Sequence, residues 1–240
     1  MATIGDNLQA VRKRIAAAAL AAGRDPQKIT LLAVSKSHPA ERIIEGFEAG
    51  QRAFGENYVQ EAAHKMDTLA RVLGPARARE LEWHMIGPLQ SNKTRVVAER
   101  FDWVQSVDRE KIAQRLSVQR PRTPAPLNVL VQVNVSGEAS KSGVEPQATL
   151  ALAQAIARLP RLHLRGLMAI PEPTDDAALQ RARFRLLREL FEAIHALGLP
   201  LDTLSMGMSD DMEAAIAEGA TMVRIGTAIF GEREGARDIA

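Results

Sequence analysis

Thr30-Leu-Leu-Ala-Val-Ser-Lys36 and Leu127-Asn-Val-Leu-Val-Gln-Val-Asn-Val135 decide the architecture. Both are short runs rich in Leu and Val, with little alternation of polar and apolar residues. That pattern belongs to parallel strands covered on both faces. Outward from them, strand-like runs stand at 52–55, 82–87, 103–107, 163–168, 201–206 and 221–226, making eight. Helical patterns fall between and after them at about 39–49, 57–73, 91–100, 108–119, 146–159, 175–197 and 209–218, and one more precedes the first strand at 6–22. In that first helix Leu8, Val11, Ile15 and Ala18 form one apolar stripe. Asp210 and Glu213 stand at capping-box spacing at the start of the last pattern, with Ser209 a competing N-cap. Eight βα alternations predict a single (β/α)8 TIM barrel with an extra N-terminal helix, residues 1–240 forming one domain. An open doubly wound sheet is the competing architecture, but no G-x-G-x-x-G follows the first strand.

Composition narrows the function classes. Apolar residues at 46% and charged residues at 25% are ordinary for a globular protein. The net charge of +2 offers no polyanion footprint, so nucleic-acid binding is not expected. Arg181, Arg183, Arg185 and Arg188 read as a solvated helix face balanced by Glu189 and Glu192. There is no cysteine, which removes disulfides, thiolate metal sites and thiol nucleophiles. His38, His64, His84, His163 and His195 have no spacing that builds a metal site. No window approaches the roughly 18 consecutive apolar residues of a membrane span, and no secretory pattern opens the chain. A cytoplasmic address is the expectation. Pro121-Arg-Thr-Pro-Ala-Pro126 reads as a stiff surface connection, Gly137–Gly143 as a polar βα loop, and the last eight residues as a tail.

In such a barrel the reacting groups sit at the C-terminal ends of strands, and phosphate sites commonly follow strands seven and eight. Lys36 ends strand one after an apolar run, in a chain with seven lysines against 24 arginines. A lysine there can snorkel to solvent, but if desolvated its amine is freed to attack a carbonyl. Ser205, Gly207, Ser209, Gly226 and Thr227 follow strands seven and eight, where small residues and backbone N–H groups can cradle a phosphate. Alone, each of these residues could simply turn the chain or cap a helix. Arg224 lies inside the last apolar strand and must be paired, with Glu56 or another carboxylate, or must face a ligand. Asn57 and Tyr58 follow strand two, and His84 beside Trp83 reads as a hydrogen-bonded wall residue. The Asp210-Asp211 pair reads as a helix start. An amine nucleophile together with a phosphate cradle suggests pyridoxal 5′-phosphate (PLP).

The blocks LLAVSK at 31–36, FGENYVQE at 54–61, WHMIGPLQSNK at 83–93, GLMAIP at 166–171, SMGMSDDMEAAIAEG at 205–219 and VRIGTAIFG at 223–231 closely resemble the YggS/PROSC family of PLP homeostasis proteins. The resemblance runs in order over nearly the whole chain. It implies an alanine-racemase N-terminal-domain-like barrel carrying PLP as an internal aldimine on Lys36. It also implies that Ser205, Gly226 and Thr227 lie in phosphate-binding segments, that Arg224 faces the pyridine nitrogen, and that Asn57, Met206 and Ser209 lie near the cofactor.

Racemisation on PLP needs a base on each face of the substrate α-carbon and an electron sink in the ring. Related racemases take the second base, a tyrosine, from an additional β-domain of a partner chain. This sequence ends fourteen residues after the last strand run, so no such domain is expected, and its one tyrosine is Tyr58. An arginine on the ring nitrogen would also weaken the sink. The expectation is a PLP carrier or regulator acting as a monomer in vitamin B6 homeostasis, with PLP-requiring apo-enzymes as partners. A slow PLP-dependent amino-acid racemase is the alternative.

Overall fold

The computed structural model describes residues 2–122, 125–138 and 142–232. Eight parallel strands close into a barrel in sequence order: β1 (Thr30–Val34), β2 (Ala53–Glu56), β3 (Glu82–Met85), β4 (Trp103–Val107), β5 (Leu127–Gln132), β6 (Leu162–Met168), β7 (Thr203–Ser205) and β8 (Met222–Ile225). Closure is direct, with Ala33 of β1 in register with Phe54 of β2 and Ile225 of β8. The expected barrel is therefore present and the open sheet is excluded.

Helices cover the outside: α1 (Ile4–Ala21), α2 (Ala40–Glu48), α3 (Val59–Leu73), α4 (Pro75–Ala78), α5 (Thr94–Arg100), α6 (Glu110–Gln119), α7 (Thr149–Ala157), α8 (Ala177–Ala196), α9 (Met212–Ala217) and α10 (Thr227–Phe230). None of the described helices is long and apolar enough to cross a membrane. The short helices α4 and α10 were not anticipated, because four residues are too few to display a periodic stripe. Thr3 and Asp6 close a reciprocal capping box on α1, which buries Ile4, Leu8, Val11, Ile15 and Ala19. This extra helix packs along α9 and α10, and Asn7 Nδ2 donates to the Ile229 carbonyl at 2.8 Å.

Two local expectations are corrected. The N-cap of α9 is Asp211, not Ser209 or Asp210, and its carboxylate accepts the Met208 N–H instead of closing a capping box. Glu213 is drawn away to Arg14. The arginines of α8 do not find their main balance within the helix. Arg181, Arg185 and Arg188 converge on buried Glu218 at the end of α9, and Arg183 pairs with Glu172. Glu192 joins only at Arg188, 3.6 Å away. The connection at 121–126 and the loop at 137–143 fall partly, and the tail at 233–240 wholly, outside the described residues.

The two faces of each strand have different neighbours, which follows from the two-residue period. Leu32 and Val34 of β1 cluster with Ala53, Ile86 and Met222 inside the barrel. Leu31 and Ala33 belong to the larger core between barrel and helices. This parity decides which side chains reach the C-terminal mouth.

Candidate functional site

Lys36 continues the inward parity of Leu32 and Val34 beyond the end of β1. It lines a cavity of about 540 Å³ at the C-terminal mouth, together with Asn57, Ile86, Ile170, Ser209, Arg224, Gly226 and Thr227, among others. Six of the eight residues expected at a cofactor site thus come together. The other two do not line the cavity. Ser205 is fully buried, with its hydroxyl between Gln105 Oε1 at 2.6 Å and Arg224 Nη1 at 2.7 Å. Its hydroxyl, expected near a phosphate, is here engaged beneath Arg224 rather than presented to the cavity. Met206 is one residue out of phase, so it packs into the core between barrel and helices.

The backbone around Lys36 is held from α3. Lys65, itself buried, donates from Nζ to the Ser35 carbonyl at 2.8 Å and to Glu56 Oε1 at 2.8 Å, and pairs with Glu61. Ser35 Oγ donates to the same Glu56 oxygen at 2.7 Å, and Glu61 accepts the Ser37 N–H at 2.7 Å. Ser37 sits at φ 63°, a left-handed conformation that a non-glycine residue keeps only when its surroundings enforce it. Burial raises the Glu56 carboxyl above its ordinary range, and the charge of Lys65 opposes that rise. Glu56 is thus the partner of Lys65 rather than of Arg224. Neither Lys65 nor its clamp was foreseen, although a lysine facing inward on an amphipathic helix was a readable signal.

Arg224 is 3% exposed and held by Ser205 Oγ and by the Ala169 carbonyl, the latter 2.8 Å from Nη2. Burial lowers its guanidinium to about 10 while Asp211 opposes the shift, so it remains charged at neutral pH. Asn57 follows β2 with a buried Oδ1 that has no hydrogen-bond partner among the described residues. Gly87 keeps Asn57 in place by close approach: a Cβ on Gly87 would lie 2.5 Å from the Asn57 carbonyl oxygen. On the far side of β1, Gly226 and Thr227 begin α10, where the Ile229 and Phe230 amides close onto the Gly226 carbonyl while the Thr227 and Ala228 amides lie ahead of the first intrahelical bond. Gly207, at φ 95°, turns the chain after β7, and a Cβ there would strike Ala215 at 2.6 Å.

Several lining residues were not among those expected, Arg14 and His38 the polar ones of note. Arg14 of α1 reaches across to donate to the Ser209 carbonyl at 3.1 Å and to Glu213 at 2.8 Å, which places a second guanidinium at the rim. His38 also lines the cavity, with its ring 5.1 Å from that of Phe230. Tyr58 is 56% exposed and outside the lining. His84 is fully buried and bonded to Glu82 and Gln105, as a wall residue should be. Among the described residues no group of His, Asp and Glu could hold a metal ion. The cavity therefore combines an amine, two guanidinium groups, a helix N-terminus and an unsatisfied amide oxygen. It suits an anionic ligand that also carries a carbonyl and a polar group within reach of Asn57.

Residues 7–234 match the family model for the alanine racemase N-terminal domain. The chain is similar to the pyridoxal phosphate homeostasis protein of Pseudomonas aeruginosa, with 61% identity over 98% of this chain and 97% of that one. It is 56% identical to the protein of the same name from Vibrio cholerae, over 99% of this chain and all of that one. Among solved structures it resembles PipY of Synechococcus elongatus with PLP bound, at TM-score 0.81 and 36% identity, covering 95% of this chain and 100% of that one.

Proposed function

Because the chain belongs to the YggS/PROSC family, built on the alanine racemase N-terminal domain, we propose that it binds PLP in the cavity at the C-terminal mouth and serves PLP homeostasis as a carrier or regulator. The observation that carries this reading is the meeting of Lys36, Arg224, Asn57 and the Gly226-Thr227 helix start around one cavity. When bound, the cofactor supplies an aldehyde that a lysine amine can condense with, a pyridine nitrogen and a phosphate dianion.

The residues fit that group one by one. Lys36 Nζ is the covalent attachment point, on a turn that Lys65 and Glu61 hold rigid. The amides of Gly226, Thr227 and Ala228 and the Thr227 hydroxyl cradle the phosphate at the start of α10, with Ser209 alongside. The charged guanidinium of Arg224 donates to the ring nitrogen and keeps protons off it. The orphaned Asn57 Oδ1 gains a partner from a ring substituent, which removes the cost of an unmet buried acceptor. The apolar side chains of Val34, Ile86 and Ile170 exclude water from the ring.

Carriage rather than turnover is supported by what the lining contains. Tyr58 stays outside it, so this chain offers no tyrosine base, and Arg224 disfavours a protonated ring nitrogen. The same reading expects a cytoplasmic monomer that passes the cofactor to PLP-requiring apo-enzymes. The test is an absorbance spectrum of protein loaded with PLP, then borohydride reduction and peptide mapping. Cofactor fixed on Lys36 supports the assignment, and cofactor fixed on another lysine overturns it. Turnover of L- or D-amino acids at ordinary enzyme rates would overturn the carrier role.

A further inference from the structure

The interior of a (β/α)8 barrel is ordinarily filled by layers of bulky apolar side chains. Here a line of polar side chains crosses it. From the cavity, Arg224 Nη1 donates to Ser205 Oγ at 2.7 Å, and Ser205 Oγ donates to Gln105 Oε1 at 2.6 Å. Gln105 Nε2 meets His84 Nδ1 at 2.9 Å, and His84 Nε2 meets Glu82 Oε1 at 2.7 Å. Ser205, Gln105 and His84 are fully buried, whereas the Glu82 side chain reaches solvent at the N-terminal mouth.

The ends of this line set its direction. A guanidinium can only donate and an ionised carboxylate can only accept. The hydrogen bond from His84 holds the Glu82 carboxyl below its ordinary range, against the effect of burial. Each intermediate group then accepts from the Arg224 side and donates toward Glu82. His84 must carry its proton on Nε2 and accept on Nδ1. Gln105 is the one member whose two ends could be exchanged, and its surroundings prevent it. Its Nε2 also donates to Met222 Sδ at 3.1 Å, where an amide oxygen would face a sulfur lone pair. Reversal would also leave Ser205 accepting from both neighbours and force His84 into the doubly protonated form. The imidazole is fixed in plane by Trp103, stacked on it at 5.1 Å and 8°.

We propose that Gln105 is a positioning residue for the cavity, orienting the Arg224 guanidinium toward the ligand's ring nitrogen through Ser205, with His84 and Glu82 locking the amide. This rests on the PLP reading above and deepens it. Neither Ser205 nor Gln105 lines the cavity. With Nη1 and Nη2 committed to Ser205 and Ala169, the guanidinium plane cannot turn, and its edge toward the cavity stays fixed.

The experiment compares PLP with an analogue in which a ring C–H replaces the pyridine nitrogen, on wild type, Gln105→Leu and Ser205→Ala. Loss of one hydrogen bond to a charged group should weaken PLP about tenfold, while the analogue, with no acceptor for Arg224, should lose less than about twofold. Ser205→Ala removes fewer atoms and should give the same selective loss if the Leu variant folds poorly. Independently of any ligand, ¹⁵N NMR of wild type should find His84 protonated on Nε2 alone. Equal losses for both ligands, no loss for either, or His84 protonated on Nδ1 would overturn the relay. Wild type that fails to bind PLP at all would instead sink the reading of the cavity, and the relay with it.

Discussion

Lys65 Nζ lies 2.8 Å from the backbone carbonyl oxygen of Ser35, the residue immediately before Lys36. One buried amine thus holds the turn that presents a second, half-buried amine to the cavity, and the two lysines have different tasks. Lys65 is saturated by Ser35, Glu56 and Glu61, whereas Lys36 lines the cavity. Lys65→Met should destabilise the fold by about 3–5 kcal/mol, because it strands Glu56 buried without its cation. Adding Glu56→Gln should recover part of that loss, since the remaining neutral group needs no counter-charge. Denaturant unfolding measures both steps. In the double variant, borohydride-trapped PLP on Lys36 should form more slowly than in wild type, because the Ser35 carbonyl loses its donor and Glu61, which accepts the Ser37 N–H, loses its cation. An unchanged trapping rate would mean that the clamp serves stability alone.

The phosphate cradle gives a second prediction. Thr227 starts α10 beside Gly226, so on the function proposed above its hydroxyl and the first amides of the helix would act on the same phosphate. Thr227→Val should cost PLP roughly 1.5–3 kcal/mol, the worth of a charge-assisted hydrogen bond, and leave pyridoxal nearly unchanged. Titration of both ligands decides it, and equal losses would place Thr227 away from the phosphate. Arg14→Gln should follow the same pattern at severalfold rather than tenfold, because Arg14 works mainly by tying α1 to the Ser209 carbonyl.

Much of this site was legible in the sequence because it depends on strand parity. Leu32, Val34 and Lys36 alternate inward, and Arg224 and Gly226 do so at the end of β8, so a strand-end lysine and an arginine in an apolar strand pointed to one mouth. The same rule, applied more strictly, would have removed Met206, which follows inward-facing Ser205 and must face the helices. The engagement of the Ser205 hydroxyl was not legible, because its partners come from distant strands. Gln105 is one hundred residues away from Ser205 in sequence. Lys65, Arg14 and the Glu218 cluster were hidden for the same reason. Their chemistry is pairwise and long-range, whereas periodicity reports only the neighbours along one element.

Glu218 offers a prediction about stability and pH. Burial pushes its carboxyl up, but Arg185, Arg181 and Arg188 outweigh that and hold it below its ordinary value of 4.5. A depressed folded-state value means the contribution is complete above the unfolded value and drains away as pH falls through the folded one. Glu218→Gln should therefore lower the melting temperature near neutral pH, and the gap to wild type should close as pH falls below 4.5. Thermal melts of both proteins between about pH 3 and 7 follow the gap. A gap that stays constant would show that the arginines do not depend on the ionised form.

The last prediction asks whether Arg224 separates carriage from catalysis. Its charge persists at neutral pH despite burial, so a ring nitrogen facing it stays unprotonated. A carboxylate in its place would favour the protonated ring and a stronger electron sink. Arg224→Glu alone would set two acids together, because Asp211 is close enough to act on Arg224, and would take the donors from Ser205 and Ala169. Pairing it with Asp211→Asn removes the repulsion and keeps a side-chain oxygen for the Met208 N–H. The double variant should bind PLP more weakly than wild type, yet exchange the α-proton of added amino acids into deuterated water faster. Mass spectrometry of the recovered amino acid measures the exchange, with Asp211→Asn alone as the control. Folded, PLP-loaded double variant with exchange no faster than that control would mean that Arg224 anchors the ring without tuning it.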